Sequence, residues 1–221
     1  FGLGMKYMEP LKWEAWWIIH VTVAMIIFPI LWAVFAVPNL FLVISNAPTE
    51  AVFLGMLFGF LWGVGGILFG KSVPYIGLSL TYGVVMGLAA SVGSIIPLMQ
   101  VEDAFSNPAT TYVIIAVVIM LVGVAITAKA GIDRDKLIGD TKNPSNMIKG
   151  ILIAVSCGVL SALLNVGFAN ATPVALEAEK MGAITRNSSL AAWVVVLLGA
   201  FIMNLGYAVV LLLKNNSWNS F

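Results

Sequence analysis

Six stretches of the chain, 15–49, 51–70, 72–101, 104–128, 150–176 and 187–213, contain no Asp, Glu, Lys or Arg. A helix needs about 20 apolar residues to cross the hydrocarbon core of a bilayer. Each stretch supplies that once, and none is clearly long enough for two crossings with a turn between. Only 10% of the 221 residues are charged and 61% are hydrophobic; soluble domains carry roughly 25% charged residues. A water-soluble fold of this size cannot hide so much apolar surface. The expected class is therefore all-α, a polytopic membrane helix bundle with six spanning helices.

The spans are expected at about 13–36, 51–70, 77–98, 111–127, 147–170 and 190–213. Trp13, Trp16 and Trp17 cluster where the first span would meet the lipid–water interface, the usual place for an aromatic belt. Pro38-Asn39 ends that span. Gly55, Gly59 and Gly63 recur every four residues in the second, and Gly66 and Gly70 extend the row; Gly83, Gly87 and Ser91 repeat the device in the third. Small residues at that spacing let helix backbones approach closely. Lys71-Ser72-Val73-Pro74 reads as a very short turn between the second and third spans.

Charge sets the orientation. Lys129, Arg134, Lys136, Lys142 and Lys149 fall between the fourth and fifth spans. With six alternating spans, nine of the eleven Lys and Arg lie on one side; Lys180 and Arg186 alone lie on the other. Basic loops stay cytoplasmic, so loop 129–149 and both ends are expected in the cytoplasm. The single Cys157 excludes an internal disulfide, and the single His20 excludes a His-rich metal site. No cofactor, metal or nucleic-acid partner is expected. The chain opens on Phe1 rather than Met, so a fragment of a longer protein is expected.

Several motifs recur in an ordered set. Lys12-Trp13-Glu14 opens the first span; Leu61-Trp62-Gly63-Val64-Gly65 and Gly70 lie in the second, followed by Tyr75-Ile76-Gly77-Leu78-Ser79. Cys157-Gly158, Ser161-Ala162, Ala171 and Pro173 mark the fifth, and Asn204-Leu205-Gly206 the sixth. Together they resemble the L-rhamnose–proton symporter family of the drug/metabolite transporter superfamily. The resemblance implies ten helices in two inverted five-helix repeats. Residues 1–128 would then hold spans two to five of the first repeat, 129–149 the inter-repeat loop, and 150–221 the first two spans of the second. It further implies sugar–proton symport by alternating access at a site between the repeats, in a bacterial inner membrane, by a monomer or homodimer surrounded by lipid.

The side chains add their own pointers. Ser161 and Asn165 share a helix face, with Asn170 beyond them. Amides both donate and accept, which suits sugar hydroxyls. Trp62 and Tyr82 offer an aromatic wall, and Asn204 is a further polar candidate in the sixth span. Interhelical hydrogen bonds and core packing are the plainer role for each of these. His20, about 10 Å below Trp13 at 1.5 Å per residue, is one candidate to carry a coupling proton. Glu14, at the start of the same span, is the other, and its plainer role is to cap the helix N-terminus. Glycine at position 66 and the low polarity of the second span leave a different small solute as the alternative cargo. An intramembrane enzyme is not expected, because no Asp or Glu lies mid-membrane to support the lone histidine.

Overall fold

The computed structural model describes residues 11–100, 103–137 and 144–221. Among these the chain is helical almost throughout and has no strand. Helix α1 covers Trp13–Ala36, α2 Leu40–Asn46, α3 Thr49–Ile76, α4 Leu78–Met99, α5 Pro108–Leu137, α6 Pro144–Asn170, α7 Thr172–Lys180 and α8 Thr185–Asn215. Six segments are long and apolar enough to cross a membrane: α1, α3, α4, α5, α6 with its continuation α7, and α8. These are the six spans the uncharged stretches predict.

The differences lie at the ends. The expected turn at Lys71–Pro74 is helix. Pro74 falls in the last turn of α3 and deprives the Gly70 carbonyl of its usual partner, yet the helix runs on to Ile76. The reversal happens at Gly77, whose φ of +79° and ψ of 164° suit a residue without a side chain. Lys71 therefore lies on α3, about 8 Å before its end. Helix α5 likewise carries Lys129, Arg134 and Lys136 as far as Leu137, and Lys149 belongs to α6. Most of the expected loop 129–149 is thus helix; Lys142, like Lys6, lies outside the described residues. Asn107 starts α5 with its Oδ1 accepting from the Ala109 N–H at 2.9 Å, and Pro108 follows at the first helical position.

Helix α1 is not uniform. Pro29 has no N–H and its ring crowds the carbonyl four residues earlier. The turn ahead of it, Thr22–Ile27, widens to the π form, and the Phe28 N–H bonds to the Val23 carbonyl five residues back. Asn39, at φ 51°, then redirects the chain into α2.

The chain divides into two compact units, one of residues 1–60 and 170–221, the other of 61–169. In the first, α3 and α8 meet backbone to backbone. A Cβ on Gly59 would collide with the Val196 carbonyl, and one on Gly199 would lie 2.7 Å from the Met56 carbonyl carbon. Ala191, Ala192, Val196 and Ala200 around this crossing are fully buried.

In the second unit, Ile76, Leu80, Val84, Val85, Ala154 and Cys157 form the core. Gly83 faces Thr127, Gly87 faces Val124, and Gly158 faces Leu88. Ser91 is buried at 1% exposure, and its hydroxyl has no hydrogen-bond partner among the described residues. Gly66 and Gly70 depart from the expected packing row, since a Cβ at either would meet nothing within 4 Å.

Candidate functional site

In the unit of residues 61–169, α6 presents Ser161 and Asn165 one turn apart. A Cβ at Gly65 on α3 would lie 3.1 Å from the Ser161 hydroxyl, and Gly150 at the start of α6 presses on Tyr75 and Ile76. These two pairings make α3 and α6 antiparallel, so Trp62, one turn before Gly65, stands toward the level of Asn165. The Cys157 thiol donates to the Gly65 carbonyl at 3.0 Å and lies 3.8 Å from the Ser161 hydroxyl. Gly93 of α4 leaves room for the Asn165 amide, and a Cβ there would lie 3.3 Å from the amide carbon. Asn165 is exposed, while Ser161 and Trp62 are half-buried.

The arrangement is a polar notch: a hydroxyl and an amide one turn apart on α6, Trp62 on the neighbouring α3, and Gly65 and Gly93 where larger side chains would close the space. An exposed amide in an apolar span needs a polar partner, since hydrocarbon offers none. Tyr82 is not part of this cluster. It packs edge-on against Phe69, with centroids 4.8 Å apart, about 16 Å along α4 from Gly93. Asn170 is half-buried and lies in the other unit, at the end of α6.

In the unit of residues 1–60 and 170–221, Asn204 is 3% exposed. Its Oδ1 accepts from the Trp17 indole N–H at 3.1 Å, and its Nδ2 donates to the Ala200 carbonyl at 2.9 Å. This is the plainer role, a bond tying α1 to α8. Trp17 also stacks on Trp13 at 5.1 Å, and Trp13 meets Tyr207 edge-on at 6.3 Å. His20 lies flat on Trp16 at 4.8 Å and against Trp17 at 5.4 Å, immediately before the π turn.

Glu14 is 5% exposed. Its Oε1 accepts from Asn215 Nδ2 at 3.1 Å and from the Ser217 hydroxyl. The carboxylate thus fastens the start of α1 to the segment around the end of α8. Asn215 and Ser217 carried no signal in the sequence beyond being polar. No group of His, Cys, Asp and Glu suited to a metal occurs among the described residues.

Trp17→Phe is expected to lower stability by about 1 kcal/mol, the usual scale for a hydrogen bond between membrane helices, and to leave solute uptake unchanged. Thermal unfolding in detergent and an uptake assay check this. Lost uptake at unchanged stability would return Asn204 to the candidates for solute contact.

Comparison with known proteins adds a family. The model of the L-rhamnose-proton symport protein (RhaT) family matches residues 1–219. The L-rhamnose-proton symporter of Mannheimia succiniciproducens is 31% identical over 218 residues, 96% of this chain and 63% of the relative. That of Escherichia coli is 29% identical over 219 residues, 97% of this chain and 63% of the relative. That of Yersinia pestis is 28% identical over 222 residues, covering 98% and 65%. The chain thus spans just under two thirds of the length of these relatives. No solved structure matches it.

Proposed function

The chain belongs to the L-rhamnose-proton symport protein family, and from that premise we propose that it works in a secondary active transporter carrying a small sugar, L-rhamnose or a related deoxyhexose, into the cell with a proton. The family is one of transporters, not enzymes, and this member is a multi-pass protein of the bacterial inner membrane. On this reading residues 1–128 contribute spans two to five of a first inverted repeat, 129–149 join the repeats on the cytoplasmic side, and 150–221 open the second. One repeat rocks against the other to expose the sugar alternately to the two faces.

The observation that carries the reading is the family match across residues 1–219. The notch of Trp62, Ser161 and Asn165 supports it with donors and acceptors suited to hydroxyl groups. His20 and Glu14 are the groups in this chain we assign to proton coupling, and Asn170 is a secondary sugar contact; Asn204 ties α1 to α8.

Proteoliposomes holding the full-length protein test it. An inward proton gradient is expected to drive accumulation of labelled L-rhamnose, and a protonophore to abolish it. Accumulation indifferent to the protonophore would remove the proton from the scheme. Absence of uptake for every deoxyhexose tried would remove the sugar.

A further inference from the structure

The basic residues that orient the chain converge on one end of the unit of residues 61–169. Lys71 and Tyr75 share a face of α3, one turn apart. The Lys149 ammonium sits 5.2 Å from the centroid of the Tyr75 ring, and Gly150 beside it is pressed onto Tyr75 and Ile76. From α5, the Arg134 guanidinium reaches to 3.9 Å of the point where a Cβ on Gly77 would sit. Lys71, Arg134 and Lys149 are all exposed, and among the residues with described side chains Asp133, next to Arg134 on α5, is an exposed carboxylate. Lys71, Asp133 and Arg134 also interact within the protein. An ammonium has three donors and a guanidinium five, so each can serve more than one acceptor.

An apolar strip begins at the same place. Ile148 and Leu152 on α6, one turn apart on either side of Lys149, are each 61% exposed. Cationic donors and an aromatic ring at the membrane surface, with an apolar strip running from them into the hydrocarbon, match a phospholipid with net negative charge. Its phosphate oxygens accept from the lysines and arginine, and an acyl chain lies along the strip. Basic clusters between helices on the cytoplasmic side have the field to hold such headgroups.

We infer that the cytoplasmic end of α3, α5 and α6 binds an anionic phospholipid, its phosphate held by Lys71, Arg134 and Lys149 and its tail on Ile148 and Leu152.

Full-length protein in nonionic detergent, titrated with phosphatidylglycerol or phosphatidylcholine and read by native mass spectrometry, tests this. Phosphatidylglycerol is expected to stay bound and phosphatidylcholine to dissociate. The double variant K71Q/K149Q is expected to weaken retention about 30-fold, since each basic group near the surface contributes about 1 kcal/mol. K71R/K149R should keep it, and K180Q, outside this unit, should leave it unchanged. For the wild type alone, raising salt from about 0.05 to about 0.5 M should strip the lipid. Equal retention of the two lipids, insensitivity to salt, or a K71Q/K149Q protein that binds like the wild type would each overturn the site. Sugar uptake is not read, so the outcome stands apart from the transport reading.

Discussion

Leucine in place of Gly59 or Gly199 is expected to destroy the folded protein, with at least about 3 kcal/mol of stability lost and little monodisperse material recovered from detergent. The reason is what stands opposite. A Cβ on Gly59 would collide with the Val196 carbonyl oxygen and lie 2.9 Å from its carbon; one on Gly199 would meet the same group of Met56. The obstacle is backbone on both sides of the crossing, so no rotamer change relieves it, and the two helices must separate. Overpacking with movable neighbours costs about 1–3 kcal/mol, occasionally more. Here the burden falls at or beyond the upper end. Even alanine at either position supplies the offending atom. Gly66→Ala and Gly206→Ala are the controls, because a Cβ at either meets nothing within 4 Å. They should match the wild type or gain slightly from the better helix former. Size-exclusion profiles and unfolding midpoints decide it. A well-folded Gly59→Leu protein would show that α3 and α8 do not cross where described.

Asn165→Ala is expected to cut sugar uptake about tenfold or more without loss of folded protein. Asn165 is exposed, with Gly93 making space for its amide, so trimming it leaves the packing of α4 against α6 in place. The amide offers both a donor and an acceptor to a hydroxyl-rich solute. One neutral hydrogen bond contributes about 1 kcal/mol, and a buried sugar hydroxyl left unpaired loses more. Two such bonds amount to a tenfold effect or more, seen mainly as a raised half-saturation concentration. Tyr82→Phe, which keeps the edge-on contact with Phe69, should change uptake little. Equal uptake by Asn165→Ala and wild type in matched proteoliposomes would take the notch out of the transport path.

The spans were legible because bilayer thickness fixes the length of an uncharged run, and this chain places its charges only between such runs. Their ends were not. Pro74 reads as a breaker, yet the helix runs two residues past it, and the break falls on Gly77, where the backbone needs a conformation that glycine adopts freely. The basic stretch reads as a loop, yet Lys and Arg are good helix formers and sit well near a helix C-terminus, so α5 carries them forward. The Ser161–Asn165 face followed from a spacing of four. The partner of Asn204 did not: Trp17 lies 187 positions away, and only tertiary packing pairs them. Glu14 does lie in the first turn of α1, as its plainer role has it, but its partners Asn215 and Ser217 are equally out of the sequence's reach, being brought to it by the return of α8.

The widened turn Thr22–Ile27 gives α1 one soft joint in an otherwise stiff rod. Turns of this kind, and prolines, are where helices bend, and α1 has both within eight residues, directly after His20. Both halves of α1 and the joint between them pack against α8, so a bend at that joint has to be matched by the surface of α8 that it lies on.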